Sequence, residues 1–250
     1  MTYALQTRNL SKRFGGFLAT NDVTLNIAEG ARHALIGPNG AGKTTLINLL
    51  TGFLEPSSGS VILKGQDVTR QPQHRRVKRG LARTFQINRL FAEMTVLQSV
   101  IVAVNERHGI TTRWWRPISA HSEAIDDAAS LLAQLGLLDI AYVRTSDLPY
   151  GKQRLIEIAL ALAARPTVLL LDEPAAGVPT GESRALFETI ERLPREVTIL
   201  LIEHDMDLVF RFADRISVLV AGSLLTEDVP DVIAADPRVR EVYLGDASHG

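Results

Sequence analysis

One octapeptide narrows the possible folds more than any other feature of the chain. Gly37-Pro38-Asn39-Gly40-Ala41-Gly42-Lys43-Thr44 fits the pattern G-x-x-x-x-G-K-[ST]. It stands between a short apolar run, Ala34-Leu35-Ile36, and an apolar helical pattern through Leu46, Ile47, Leu49 and Leu50. A strand, a glycine-rich turn and a helix in that order make a cradle for phosphate. The glycines let backbone N–H groups wrap an anion with no Cβ in the way, and the helix aims its positive end at the same point. Lys43 is expected to reach the β- and γ-phosphates of a nucleotide. The hydroxyl of Thr44 is an expected ligand for Mg2+, which prefers hard oxygens and completes its shell with oxygens of the nucleotide. Together with Thr45, this segment is the expected nucleotide-binding loop.

The other apolar runs place that loop in a sheet. Val168-Leu169-Leu170-Leu171, Ile199-Leu200-Leu201-Ile202 and Ile216-Ser217-Val218-Leu219-Val220 are nearly continuous, as are parallel strands covered on both faces. Near the start, Thr20 to Ile27 alternates with Val23, Leu25 and Ile27 on one face, and Ser58 to Leu63 reads as a strand closed by Lys64-Gly65. These predict antiparallel strands. From Phe91 to Ser146 the pattern turns helical: Ser122 opens a helix in which Ile125, Ala128, Leu132 and Leu135 share a face, and Gly136 stops it. The expectation is an α/β fold with an N-terminal antiparallel β subdomain and an inserted helical subdomain.

A pair of carboxylates ends one of the buried runs. Leu171-Asp172-Glu173-Pro174 places them where a parallel strand emerges, at the edge where α/β sheets bind ligands. Asp172 is positioned to hold Mg2+, and Glu173 to take a proton from an attacking water during phosphoryl transfer. Two solvated acids capping a loop is the alternative.

The order of motifs resembles the ATP-binding subunits of ABC transporters, and the resemblance covers nearly the whole chain. It implies a P-loop NTPase (RecA-like) core, with residues 1–250 forming a single ABC ATPase domain. Within it, 1–90 and 160–250 would be the α/β core and 91–159 the helical subdomain. Ala82-Arg83-Thr84-Phe85-Gln86 looks like the family's glutamine loop, which gives Gln86 a role in sensing Mg2+ and the γ-phosphate. Leu148-Pro149-Tyr150-Gly151-Lys152-Gln153 sits where the family's LSGGQ loop meets the ATP of a partner subunit. Glu203-His204-Asp205 matches the switch histidine, which gives His204 the γ-phosphate, and Phe14 falls where the family places an aromatic ring against adenine. Taken singly, Gln86 reads as a surface residue, His204 is one of 6 histidines, and Phe14 is as much a core candidate as a site residue. Their order relative to Lys43 and Glu173 raises all three.

Two positions depart from the family pattern. Pro149 stands where the signature serine would donate a hydroxyl, and it has neither side-chain hydroxyl nor N–H. Pro179 stands where many members carry an acid. Lys152, the amides of Tyr150 and Gly151, and the helix behind them are the expected compensation.

The phrases Arg13-Phe14-Gly15-Gly16, Pro174-Ala175-Ala176-Gly177, Glu203-His204-Asp205-Met206-Asp207 and Val242-Tyr243-Leu244-Gly245 look like the ATPase subunits of branched-chain amino acid importers. ATPases of amide or urea importers and of lipopolysaccharide exporters share much of this phrasing, and soluble ABC-type ATPases acting on ribosomes or DNA are a further class. The resemblance implies ATP and Mg2+ as ligands, two transmembrane permease subunits, a second ABC ATPase, with a heterodimer favoured, and indirectly a substrate-binding protein. A position on the cytoplasmic face of the membrane is expected, since no apolar run has the roughly 18 residues of a span.

Charge and composition trim the other classes. The balance of 27 basic against 28 acidic side chains argues against a general nucleic-acid binder, so no nucleic-acid partner is expected. Cysteine is absent, which removes disulfides and thiolate metal sites. The basic run Arg75, Arg76, Lys78, Arg79 reads as a solvated helix face, with phosphate contact as the alternative. Arg113-Trp114-Trp115-Arg116-Pro117 divides evenly between packing and partner contact.

Overall fold

A computed structural model describes residues 2–84, 93–108 and 122–246. The chain divides into two compact units: Met1–Leu81, Thr167–Glu173 and Arg195–Gly250 make the first, and Ala82–Pro166 with Pro174–Pro194 the second.

The first unit holds two sheets. In the antiparallel one, strand β1 (Tyr3–Phe14) is flanked by β2 (Phe17–Val23) and β5 (Ser58–Leu63), with β6 (Gln66–Asp67) outside β5 and β3 (Asn26–Ala28) also paired to β1. The turn from β5 to β6 is Lys64-Gly65, both at positive φ, as expected of a tight two-residue hairpin. The alternating segment from Thr20 to Ile27 is two strands rather than one. The hydroxyl of buried Thr7 takes the N–H of Leu25 at 2.9 Å and donates to the carbonyl of Val23 at 2.8 Å, entering the ladder between them. The pattern holds nonetheless, because Val23, Leu25 and Ile27 are all buried.

The second sheet runs in the order β11-β10-β4-β9-β8-β7. Strands β4 (Arg32–Ile36), β8 (Val168–Asp172), β9 (Thr198–Ile202) and β10 (Arg215–Val220) are mutually parallel, and β11 (Ser223–Asp228) returns antiparallel. Strand β7 (Leu81–Arg83) ends the path. The central strands are fully buried, in keeping with their unbroken apolar runs. Helix α1 (Lys43–Thr51) leaves the phosphate loop after β4, and α2 (Gln73–Lys78) follows the antiparallel sheet. Helix α7 (Met206–Phe212) follows β9.

The second unit is helical. Helix α3 (Val96–Arg107) starts with a capping box in which Thr95 and Gln98 exchange hydrogen bonds. Helix α4 (Ser122–Gln134) buries Ala128 and Leu132 and stops at Gly136, whose φ is positive. Helices α5 (Tyr150–Ala163) and α6 (Thr180–Glu191) complete it. In the first unit α8 (Pro230–Ala235) and α9 (Pro237–Asp246) close the chain, and Ile233, Val239 and Tyr243 pack with Ile36 of β4.

Candidate functional site

Three neighbouring parallel strands deliver their carboxyl ends to one edge of the sheet. Strand β4 ends in the glycine loop, β9 in Glu203-His204, and β8 in Asp172-Glu173. Strand β9 lies between the other two, so the loop and the acids flank it.

The loop owes its path to close backbone approaches. A Cβ on Gly42 would stand 2.5 Å from the carbonyl of Ala19 in β2, and one on Gly37 would stand 2.2 Å from the carbonyl of Leu219 in β10. Gly40 and Gly42 are at positive φ, and Gly42 is the N-cap of α1. Only glycine fits such a path. Lys43 Nζ donates to the carbonyls of Gly37 at 2.6 Å and Pro38 at 3.0 Å. Burial pushes its pKa down, and Glu173 and Asp172 oppose that shift by their charge. The two acids and the lysine therefore share one field. Thr44 is exposed in the first turn of α1, and Thr45 is half-buried beside it.

Glu173 has a φ of 46°, a left-handed conformation rare outside glycine, and its N–H is held by the carbonyl of Ile202 at 2.9 Å. A strained backbone over-determined by its neighbours is a mark of functional positions. Glu203 is fully buried and accepts the N–H of His204 at 3.0 Å, while its carboxylate also lies 3.5 Å from His204 Nδ1. The side chain of His204 is itself 68% exposed. Phe14 is exposed at the end of β1, with Lys12 Nζ 5.2 Å from its ring centre. Gln86 lies outside the described residues, as do Phe85 and the segment Arg113 to Pro117.

In the helical unit, Leu148 to Lys152 leads into α5. Pro149 is the N-cap of α5 and Pro179 the N-cap of α6, neither with a side-chain cap. Both departures from the family pattern thus fall where a helix begins and a proline costs no intrahelical bond. The N–H of Gly151 donates to Glu182 of α6 at 3.1 Å. Gln153 fastens the segment by donating to the carbonyl of Leu148 at 2.8 Å.

The basic run on α2 needs correcting. Arg75, Lys78 and Arg79 are exposed, but Arg76 is buried and turned inward. Its guanidinium donates to the carbonyls of Leu49 at 2.7 Å and Leu50 at 2.6 Å in the last turn of α1, and to those of Gln71 and Thr69. Burial lowers its pKa to about 10, with Asp67 opposing. A cation here satisfies orphan carbonyls and complements the negative end of the phosphate-loop helix. Gly52, the C-cap of α1, leaves the room: a Cβ there would come within 2.7 Å of Arg76 Nε. Nothing in the spacing of Arg75, Arg76, Lys78 and Arg79 singles out the one that turns inward.

A glycine loop, a lysine and two acids at one edge of a parallel sheet, on strands that flank β9, define a P-loop nucleoside triphosphatase. The comparisons are more specific. The sequence profile of the family described as "ABC transporter" matches residues 20–176, and that of the "Branched-chain amino acid ATP-binding cassette transporter" matches 223–249. The high-affinity branched-chain amino acid transport ATP-binding protein LivG of Escherichia coli K12 is 43% identical, over 97% of this chain and 98% of its own. BraF of Pseudomonas aeruginosa, described in the same words, is 41% identical over 97% and 98%. Among solved structures, the ADP conformation of an ATP-binding cassette of an ABC transporter superposes with a TM-score of 0.88 at 31% identity. The match covers 98% of this chain and 100% of that one. A nucleotide-free cassette gives a TM-score of 0.85 at 31% identity, over 97% and 99%. The chain belongs to the ABC transporter family, among its branched-chain amino acid transport ATP-binding proteins. It is an ATPase subunit of a transporter, one of the subunits that work with membrane permeases and lie peripheral to the membrane. Among the described residues no helix is long and apolar enough to cross a membrane.

Proposed function

We propose that this ATPase powers an importer of branched-chain amino acids from the cytoplasmic face of the membrane. It would pair with a second, related ATPase and two permease subunits, and act indirectly with a substrate-binding protein. The likeness to LivG along 97% of the chain carries this reading, with the carboxyl-terminal profile match in support. Residues 1–250 act as one ATPase domain.

Phe14 stacks on adenine, and the amides of Gly37, Asn39, Gly40, Ala41, Gly42, Lys43, Thr44 and Thr45 wrap the phosphates, while Pro38, which has no N–H, shapes the loop. The donor set at the strand edge, a threonine hydroxyl and a carboxylate, consists of hard oxygens and fits Mg2+, which Thr44, Asp172 and Gln86 would hold. Held there, Mg2+ would supply positive charge against that of the phosphates. Glu173 takes a proton from water as its oxygen bonds the γ-phosphorus, and the bond to the β-phosphate oxygen breaks to release ADP. Lys43 and His204 meet the charge that develops on the γ-oxygens. Leu148, Pro149, Tyr150, Gly151 and Lys152 face the ATP of the partner subunit.

The test is recovery of the native complex. The chain, tagged at its carboxyl terminus and solubilised from membranes in mild detergent, should bring two hydrophobic permeases and a second ATPase, identified by mass. The assembled complex should then transport radiolabelled leucine, isoleucine or valine. Transport of amides or urea alone would move the cargo to a different class, and recovery only with ribosomal or DNA-associated proteins would overturn the transporter reading.

A further inference from the structure

The hairpin that carries Phe14 carries a second ring on the same face. Strands β1 and β2 pair Phe14 with Phe17 directly across the Gly15-Gly16 turn. Residues directly opposite in an antiparallel pair project to one side. Phe14 is 46% exposed and Phe17 67%, an unusual burden for two large apolar side chains at one hairpin tip. The turn is held in part by Arg13, whose guanidinium donates to the carbonyl of Gly16 at 3.4 Å.

Two further features point this pair at a nucleotide. The register slips by one residue between Lys12 and Arg13, which face Thr20 and Leu18, so Ala19 is an extra residue in β2. Such bulges re-aim a strand, often beside active sites. The carbonyl of that bulged residue is the one that a Cβ on Gly42 would strike at 2.5 Å, so the base of the hairpin lies against the phosphate loop. From Ala19 to Phe17 the strand advances two residues, about 7 Å, a reach suited to the base of a nucleotide whose phosphates sit in the loop. The second feature is Lys12, which donates to the carbonyl of Glu55 at 2.6 Å and stands 5.2 Å over the Phe14 ring. A fixed cation already interacts with Phe14, so Phe17 is the aromatic surface of the hairpin left without such a partner among the described residues.

We propose that Phe14 and Phe17 together form the platform for the purine base, with Phe17 a base-contacting residue in its own right. The inference rests on the reading of Phe14 as the adenine contact and deepens it. Stacking on exposed aromatic rings adds affinity for the base and none for the phosphates.

Calorimetric titration of the full chain with ATP and with inorganic tripolyphosphate tests this, using Phe14→Ala, Phe17→Ala and Phe17→Trp. Phe17→Ala should weaken ATP about tenfold and leave tripolyphosphate unchanged, and Phe17→Trp should restore ATP binding. Phe17 is exposed, so its truncation opens no core cavity, and nucleotide-free melting temperatures check the fold. If only Phe14→Ala weakens ATP, Phe17 is not part of the platform while Phe14 keeps its role. If neither variant matters, the hairpin does not bind the base and both readings fall. Equal weakening of ATP and tripolyphosphate would place the effect in the loop, against the proposal.

Discussion

One cation of the phosphate-loop unit and one acid of the helical unit hold their charge in different ways, although the helical unit also buries the Arg154–Glu157 pair and the first unit exposes Arg195–Asp214. In the first, Arg76 is buried and spends its guanidinium on backbone carbonyls at the end of α1. In the second, half-buried Asp127 of α4 gathers half-buried Arg107 and the exposed Arg165, whose side chain is 69% exposed. Dry, fully bonded charge fixes a backbone, whereas exposed ion pairs add little and are screened by salt. A loop that must hold donors at the places where charge develops needs the first kind of support. The helical unit holds Leu148 to Lys152 at a helix start fastened by the half-buried bonds of Gly151 to Glu182 and Gln153 to Leu148.

Arg76→Met is the strongest way to probe that contrast. Removing the guanidinium takes its donor from the carbonyl of Leu50 and leaves that of Leu49 only the N–H of Gly52 at 3.3 Å, at a cost of about 3 kcal/mol, read by urea unfolding. ATP affinity should fall with it. Asp127→Asn should cost about 1 kcal/mol or less, and the difference should vanish in high salt. An equal loss from both, or a salt-independent loss at Asp127, would erase the distinction.

A smaller effect comes from His33 in β4, which donates from Nε2 to Ser217 at 2.7 Å while Ser217 donates to Glu227 at 2.7 Å. Burial lowers its pKa below 6.5, with Glu227 and Asp214 opposing and Arg215 adding to the shift. The native state thus keeps His33 neutral where the unfolded chain binds a proton. Stability should be unaffected by this group above pH 6.5 and should decline as pH falls from there toward the native pKa. His33→Gln, which keeps a donor near Ser217, should flatten that decline in pH-dependent melts. A slope unchanged by the substitution would assign it to other groups.

What the sequence disclosed follows the same division. Gly37 to Thr44 and Asp172-Glu173 are legible because their chemistry is local: glycines at fixed intervals, a lysine, and acids at the end of an apolar run. The parallel strands are legible because burial on both faces leaves runs such as Val168 to Leu171 unbroken. The inward turn of Arg76 is not legible, since its neighbours Arg75, Lys78 and Arg79 look the same and only the carbonyls of α1, distant in sequence, select it. Nor is the left-handed backbone of Glu173, which depends on Ile202 in another strand. Thr7 splits the segment from Thr20 to Ile27 through contacts that alternation alone does not encode.

In the proposed mechanism Glu173 takes the proton of the attacking water at a site that Lys43 and the glycine loop assemble without it. Steady-state turnover and MgATP binding by Glu173→Gln, measured on the same preparation, test it most directly. Turnover should be lower by at least about a hundredfold, with MgATP affinity retained and a nucleotide-bound closed dimer accumulating. Near-normal hydrolysis in that variant would contradict it and remove Glu173 from the role of base.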